Sequence, residues 1–252
     1  MSTRVRQRAI LRQNRMLIRM EKMTQRDVVR ELRRLARRMG RDWASGGEPV
    51  VLGHVDVFQS ALTVILRRRL TAAALAFGYE MLRSLGVVVK GAVEIFEESV
   101  SRWISTYALS RAKTVADTLK KGVSSILQSA FEEGLGEQET ARMLREKIGS
   151  EQSISNAARI ARTEAHTAAS IGSDQAARST GLDMEKEWAS TEDARTRLTH
   201  AMADGQRRSM EELFDIGLAK LMYPGDPAGP AGEVINCRCV VLYHPIIAGR
   251  AV

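Results

Sequence analysis

The chain has 252 residues, an apolar fraction of 44% and a formal net charge of +8. This composition supports a packed core and excludes a chain that is disordered throughout. Arginines fill the first forty residues, where a secretion signal would need an apolar segment, and two cysteines are too few for a secreted disulfide framework. Because charged residues interrupt the most apolar stretch, we expect no membrane-spanning helix and a reducing cytoplasm as the compartment.

The charge is concentrated at one end of the chain. Residues 1–42 contain 13 Arg and 1 Lys against 4 acidic residues, a balance of +10. The remaining 210 residues contain 24 basic and 26 acidic residues, a balance of −2. This asymmetry predicts a basic arm that binds a polyanion and is attached to a body of ordinary charge.

Most of these cations recur at steps of three or four residues, the spacing of one face of an α-helix. The predicted DNA-binding residues are Arg4, Arg8, Arg12, Arg15, Arg19, Lys22, Arg26, Arg30, Arg33, Arg37 and Arg41. Like charges four residues apart destabilise a helix, so we expect an anionic partner to offset them. Nucleic acid is the first candidate, followed by an acidic protein surface and an anionic membrane, and a plain solvated helix face is the alternative. No aromatic residue precedes Trp43, which predicts non-sequence-specific contact with the backbone of double-stranded DNA.

The middle of the chain predicts helices. The segment "ASGGEP" at residues 44–49 is typical of a linker, and apolar residues then recur at helical spacing from about residue 57 to 131. Gly134 and Gly136 interrupt this pattern before a shorter helix at "EQETARMLREKI". An alanine-rich helix follows from about residue 155 and ends at Gly181.

After Gly181 the pattern changes to short strands. The segments "MEKEWAS" and "RCVVLYH" are predicted strands, and "IGLAKLMYP" is a candidate third. The predicted fold class is therefore α+β and predominantly α-helical. We predict three domains: a basic helical arm and linker (residues 1–45), a helical body (residues 46–181) and a small sheet module (residues 182–252).

The C-terminal part carries a series of motifs in a fixed order. The segments "RIARTEAHTAA", "DARTRLTH", "DGQ", "YPGDP" and "EVINCRC", with Trp188 and Phe214 between them, resemble the phage head-morphogenesis family of minor capsid proteins typified by the F protein of phage Mu. The resemblance covers about residues 155–244 and extends more loosely back to about residue 100. The motif positions are Arg162, Thr163, Glu164, Trp188, Asp193, Arg195, His200, Asp204, Gly205, Phe214, Pro224, Asp226, Glu233, Asn236, Cys237, Arg238 and Cys239.

This resemblance implies a structural minor head protein of a tailed phage. Such a protein would associate with the portal and other head proteins, aid procapsid assembly and contact DNA during packaging or delivery. The implied location is the phage head near the portal vertex, with the host cytoplasm during assembly. The resemblance also implies no enzymatic activity, since members of this family ordinarily have none. The two rival functions are a zinc-dependent enzyme acting on nucleic acid and a DNA-binding accessory protein outside the capsid.

The two cysteines, Cys237 and Cys239, permit several interpretations. In a strand both thiols would point to one face and Arg238 to the other, and a disulfide would be strained. They could be two small buried apolar side chains, or they could bind zinc with His200 and with Asp204 or Asp193 as a fourth ligand. The spacing is shorter than that of usual zinc motifs. We therefore expect no cofactor, with a zinc site at His200, Cys237 and Cys239 as the alternative.

The remaining motif residues have structural interpretations. Arg162 is either a phosphate or portal contact, or, with Glu164, part of buried pairs that tie its helix to the sheet module. Trp188 is expected in the core, Asp204 and Gly205 at a chain turn, and Asn236 as the cap of a local turn.

Overall fold

The computed structural model of the protein describes residues 3–86, 91–191, 193–247 and 250–251. Most of this described chain lies in the helices α1 (Thr3–Leu85), α2 (Ala92–Glu132), α3 (Glu137–Ile148) and α4 (Glu151–Ser179). The later elements are β1 (Met184–Ala189), α5 (Leu198–Met202), β2 (Arg207–Ser209), β3 (Phe214–Ile216), β4 (Ala219–Leu221), α6 (Ala231–Val234), β5 (Val240–Ile247) and β6 (Arg250–Ala251). The prediction of a predominantly helical α+β fold is confirmed.

Helix α1 is interrupted at Gly47, which has φ 59° and ψ −148°. Its first half, α1a (residues 3–46), and its second half, α1b (residues 48–85), are helical on either side of that residue. The structure therefore corrects the prediction of a linker at residues 44–49. Pro49 fits this arrangement because it lies in the first turn of α1b, where a missing backbone N–H breaks no helical hydrogen bond.

The chain forms two compact units built from alternating stretches of sequence. The first unit contains Met1–Lys22, Arg69–Ile104 and Arg162–Val252, and the second contains Met23–Arg68 and Ser105–Ala161. The three consecutive domains predicted from the sequence are a different kind of division, and that division stays a prediction.

In the second unit, α1a and α1b run antiparallel and are joined by polar pairs. Asp27 Oδ2 accepts a hydrogen bond from Arg68 Nη2 at 2.7 Å, and Asp42 Oδ2 lies 2.9 Å from Nε2 of His54. The buried apolar side chains of this unit come from α1, α2, α3 and the start of α4, and include Val28, Leu32, Leu35, Met39, Val51, Val55, Leu62, Leu66, Ala108, Val123, Leu144, Ile148, Ala157 and Ala161. Burial of these apolar faces stabilises helices that polar surface residues alone would not hold.

In the first unit, an antiparallel sheet has the strand order β2-β1-β5-β6, and β3 and β4 form a separate hairpin. Strand β1 pairs with β5 in a register that places Trp188 opposite Val241. The two predicted strands, "MEKEWAS" and "RCVVLYH", correspond to β1 and to the start of β5. The candidate third strand, "IGLAKLMYP", is divided between the last residue of β3 and the whole of β4.

The two faces of this sheet cover different partners. One face packs Trp188 and Val241 into a cluster of buried residues with Ala203, Phe214, Ile216, Leu221, Cys237 and Cys239. The other face packs Ala189, Val240 and Leu242 against Ile10 of α1a. The alternation along β1 and β5 follows from the two-residue period of a strand. The first helical turns of the chain therefore belong to the same packed unit as the sheet.

One stretch of α1 is apolar enough, by length and composition alone, to cross a membrane. Its 18-residue window has a mean hydropathy of 1.5 and is 28% buried. Core helices of soluble proteins reach similar values, so the predicted absence of a membrane partner stays a prediction.

Candidate functional site

The two cysteines and His200 converge in the core of the first unit. Nδ1 of His200 lies 3.3 Å from Sγ of Cys239 and 3.6 Å from Sγ of Cys237. All three side chains are buried, and their ligating atoms lie within 4.8 Å of one another. The segment that carries the thiols is irregular, because β5 begins only at Val240. The expectation that the pair lies in a strand is thus corrected, yet both thiols still face the same imidazole.

The far side of the His200 ring is held by a carboxylate. Nε2 of His200 lies 2.9 Å from Oε2 of Glu233, and Oγ1 of Thr199 donates to the same oxygen at 3.0 Å. The indole of Trp188 meets the imidazole edge-on, with ring centroids 5.3 Å apart. These contacts fix both the plane of the ring and the direction in which Nδ1 points.

The thiols differ in their tendency to ionise. Burial opposes ionisation of Cys237, but hydrogen bonds from the Cys239 thiol and backbone and the charge of Arg197 outweigh it and lower the pKa of Cys237. The hydrogen bond to Cys237, together with burial, raises the pKa of Cys239. The pair is therefore arranged so that one sulfur loses its proton more readily than the other.

The two aspartates predicted as a fourth zinc ligand lie elsewhere, which corrects that prediction. Asp193 Oδ2 accepts from Nη1 of Arg238 at 2.7 Å, while Asp193 Oδ1 accepts from the backbone N–H of Arg195. Asp204 Oδ1 accepts from Arg6 Nη2 and from the backbone N–H of Ser190, both at 2.7 Å. Both carboxylates are engaged by cations and backbone groups, so neither is directed at the thiols.

Helix α4 uses a polar face to hold the loops on either side of the cluster. Nε2 of His166 lies 2.7 Å from the carbonyl oxygen of Cys239, and Thr167 and Ser170 donate to the carbonyls of Gly225 and Pro224. Burial lowers the pKa of His166 to about 4, so the imidazole is neutral at physiological pH. This face accounts for His166, Thr167 and Ser170 of the motif, because each of these side chains satisfies a loop carbonyl that would otherwise be buried without a partner.

Arg162 forms its side-chain contacts with other residues of the first unit. Its Nη1 donates to Oδ1 of Asn236 at 3.0 Å and its Nε lies 3.4 Å from Oε2 of Glu21. The backbone N–H of Asn236 donates to Oγ1 of Thr163 at 3.3 Å. These contacts match the interpretation in which Arg162 ties α4 to the sheet module. Asn236 lies in the turn after α6 with φ 60°, and its amide oxygen accepts from Arg162, so its role as the cap of that turn stays a prediction.

The other motif residues occupy buried or turn positions. Glu164, Trp188 and Phe214 are fully buried, and Gly205 has φ 75° in the turn before β2. Asp226 accepts from the backbone N–H groups of Met222 and Ala228, each at 2.9 Å, and so closes the "YPGDP" loop. The sequence indicated these positions as a motif, and the structure shows that most of them hold loops in place.

A second polar cluster, on the opposite face of the sheet, was not anticipated from the sequence. Oε1 of Glu187 accepts from Nε of Arg6 at 2.6 Å, and Oε2 of Glu187 lies 2.8 Å from Nε2 of His244. Hydrogen bonding to His244, assisted by Arg6, lowers the pKa of Glu187 to about 2 although burial opposes this. No local pattern reveals such a cluster, since its members come from α1a, β1 and β5.

The cations predicted to bind DNA are all exposed. Three of them form ion pairs: Arg12 with Glu80, Arg30 with Asp27, and Arg41 with Asp42. Within the part of the chain that the structure describes, the other eight form no ion pair: Arg4, Arg8, Arg15, Arg19, Lys22, Arg26, Arg33 and Arg37. Arg6, which lies outside the repeating pattern, points instead into the sheet. The DNA-binding role of the exposed cations stays a prediction.

Comparison with known proteins matches residues 121–242 to the family described as Phage Mu protein F like protein. The minor head protein GP7 of Bacillus phage SPP1 is 28% identical over 180 residues, which are 67% of this chain and 55% of GP7. The NAD(+)--arginine ADP-ribosyltransferase EFV of Enterococcus faecalis (strain ATCC 700802 / V583) is 33% identical over 129 residues, which are 50% of this chain and 26% of that enzyme. The chain thus spans between a quarter and just over half of these relatives. No solved structure matches.

These findings confirm the resemblance to phage head-morphogenesis minor capsid proteins and support a structural role in the head of a virion. One expectation is overturned. The prediction that the chain is not an enzyme rested on the absence of enzymatic activity in most of the family. It is wrong, because one relative is an NAD(+)--arginine ADP-ribosyltransferase.

Proposed function

We propose that this chain, whose residues 121–242 match the Phage Mu protein F like family, is a structural minor head protein of a tailed phage. In this proposal it associates with the portal and neighbouring head proteins, aids procapsid assembly in the host cytoplasm and contacts double-stranded DNA during packaging or delivery. The observation that carries the proposal is the family match together with the likeness to GP7, a minor head protein.

The proposed DNA contact rests on the eight exposed cations without an ion pair. Their side chains are spaced three, four or seven residues apart along one face of α1a, so those three or four apart repel one another unless an anion lies between them. Phosphates of a duplex supply such anions, and release of their counterions favours binding. If about five or six cations reach phosphates, the logarithm of affinity should fall with the logarithm of salt concentration with a slope of roughly −5.

Two matched triple variants test this role. Replacing Arg4, Arg8 and Arg19 with glutamine removes three unpaired charges, whereas replacing Arg12, Arg30 and Arg41 removes three ion-paired ones. The first variant should flatten the salt slope by up to about 2.7 and weaken binding equally on random duplexes, and the second should change both less. Fluorescence anisotropy across a salt series measures this. Equal effects of the two variants, or none from either, would remove the unpaired cations as the DNA contact.

The proposed portal association is tested with the full chain, because α1a packs on the sheet and its removal would expose that core. The chain should co-elute with the purified portal protein of its phage and enter procapsids. The variant lacking Arg4, Arg8 and Arg19 should do so equally well, since we assign portal contact to the family region. Failure of the wild-type chain to bind the portal or enter procapsids would refute the head role. Failure of the triple variant alone would show that α1a is the docking element.

A second candidate function is transfer of ADP-ribose from NAD+ to arginine. The observation in its favour is the 33% identity to the Enterococcus faecalis enzyme over half of this chain. Incubation of the purified chain with labelled NAD+ and an arginine-containing acceptor measures it directly. Label incorporated into the acceptor would establish the activity, and acceptor that stays unlabelled beside an active control enzyme would exclude this reaction.

A further inference from the structure

We infer that Cys237, Cys239 and His200 form a zinc-binding site in the first unit. Two thiols and one imidazole nitrogen are ligands that zinc prefers. With zinc–sulfur and zinc–nitrogen bonds of about 2.3 and 2.1 Å, the sulfur–nitrogen edge of a zinc tetrahedron is about 3.6 Å long. The two sulfur–nitrogen distances here are 3.3 and 3.6 Å, close to that value.

The charge of such a site suits its buried position. On binding, each cysteine loses its thiol proton to solvent, so that two thiolates neutralise one Zn²⁺ and two protons are released. His200 contributes a neutral nitrogen lone pair. The resulting group has no net charge, which reduces the cost of burying a metal ion beside Trp188 and Phe214.

The groups around His200 match those that orient a metal-bound histidine. If Nδ1 binds the metal, the ring proton must lie on Nε2, where it donates to Glu233 at 2.9 Å. A carboxylate in this position fixes the tautomer and makes the imidazole a stronger ligand. Thr199 holds the same carboxylate oxygen, so the carboxylate itself has a fixed direction. The contact from His166 to the carbonyl of Cys239 likewise holds the backbone at the second thiol.

Three protein ligands leave one position of a tetrahedron for a small molecule such as water. The metal would join two segments that no strand pairing connects directly: α5, which carries His200, and the irregular segment before β5, which carries the thiols. We therefore assign the metal a role in holding the sheet module together.

Metal analysis of the full chain tests the inference. Protein purified under reducing conditions should contain about one zinc per chain. After zinc removal, one equivalent of Co²⁺ should produce thiolate-to-cobalt absorption and a tetrahedral visible spectrum. Absence of both signals from folded wild-type protein would overturn the inference, and so would cobalt that binds without thiolate absorption.

Variants distinguish this site from a surface metal. Cys237→Ser and Cys239→Ser should each abolish stoichiometric binding, and Glu233→Gln should weaken it by about 10–100-fold. His54→Asn, in the second unit, is the matched control and should bind normally. Loss of metal in His54→Asn, or its retention in both cysteine variants, would contradict the assignment. If a cysteine variant does not fold, reactivity of the wild-type thiols decides instead: Zn²⁺ should protect two thiols per chain from a thiol reagent, and unchanged reactivity would overturn the site.

Discussion

Nε of Arg6 lies 2.6 Å from Oε1 of Glu187, and the two residues are 181 positions apart in the sequence. Their side chains are 18% and 6% exposed, and the same guanidinium reaches Asp204 at 2.7 Å. This arginine therefore differs in role from its neighbours in the basic segment. It holds the first helical turns against the sheet, while the cations around it face solvent.

Replacing Arg6 with glutamine should destabilise the protein. The change removes the guanidinium that contacts both Glu187 and Asp204. Loss of one partner of a buried pair costs about 3–5 kcal/mol, so we expect about 2–3 kcal/mol at this partly exposed position, where Arg207 still faces Glu187. Arg8→Gln, two residues away on the exposed face, is the matched control and should change the free energy of unfolding by less than about 0.5 kcal/mol. Urea denaturation measures both. Equal stabilities of the two variants would contradict a structural role for Arg6.

The charge of Glu187 should make stability depend on acid pH. The groups that face it are Arg6 from α1a, His244 from β5 and Arg207 from β2. Its pKa is about 2 in the folded protein against a usual value of 4.5. The carboxylate therefore contributes fully above about pH 4.5, and its contribution of about 3 kcal/mol is lost as the pH falls toward 2.

The variant Glu187→Gln isolates this contribution. Its stability deficit relative to wild type should be largest at neutral pH and should shrink between pH 4.5 and 2. Glu185→Gln is the control, because Glu185 lies on the same strand but its side chain is 36% exposed. Its stability should differ from that of the wild type by a small and nearly constant amount across this pH range. Urea midpoints at fixed ionic strength provide the measurement. A deficit of Glu187→Gln that does not change with pH would refute the assigned pKa.

Gly225 should not tolerate a side chain. Its φ is 78°, and an added Cβ would lie 2.4 Å from Nδ1 of His166. Gly205 has a similar φ of 75° but open space around the added atom. Gly205→Ala should therefore cost about 1–2 kcal/mol from backbone strain alone, and Gly225→Ala should cost at least about 1 kcal/mol more. Similar unfolding midpoints for the two variants would show that the loop yields to the new side chain.

Two substitutions at Asn236 separate the contribution of its backbone conformation to stability from that of its side-chain hydrogen bond. Asn236→Gly keeps the positive φ of 60° accessible but loses the amide that accepts from Arg162, so we expect a cost of about 1 kcal/mol. Asn236→Ala loses the same bond and keeps a Cβ in the left-handed region, which alanine tolerates less well than asparagine or glycine, so it should be about 1 kcal/mol less stable than Asn236→Gly. Thermal unfolding of both variants tests the order. Alanine as stable as glycine would indicate that the backbone changes conformation.

The helical part of the fold follows closely from local sequence. The segment "EQETARMLREKI" is α3, and the cations spaced by three and four residues are all exposed on α1a. The reversal at Gly47 was missed because Gly-Gly followed by Pro is typical of a loop. Helical geometry resumes after a single residue there. The antiparallel arrangement of the two halves is stabilised by contacts such as that between Asp27 and Arg68, which are 41 residues apart and therefore leave no local signal in the sequence.

The candidate site was accessible from the sequence only in part. Cys237, Cys239 and His200 could be nominated by residue type, because few side chains bind zinc. Glu233 was recognised only as a motif position, and its contact with His200 depends on how α5 and α6 pack. Asp193 and Asp204 were nominated wrongly, since their partners Arg238 and Arg6 come from distant parts of the chain. Residue chemistry thus identifies candidates, while long-range packing decides which of them meet.

The assembly of the first unit from three separate stretches of chain has a kinetic consequence. The pair of Arg6 and Glu187 can form only after a loop of 181 positions closes, and the entropy of that closure is lost before the contact contributes. Topologies dominated by such distant contacts fold slowly, whereas the helix pair around Gly47 involves neighbours in sequence. We therefore expect the second unit to acquire protection from hydrogen exchange first, and the sheet with its covering helix to follow in a slower phase.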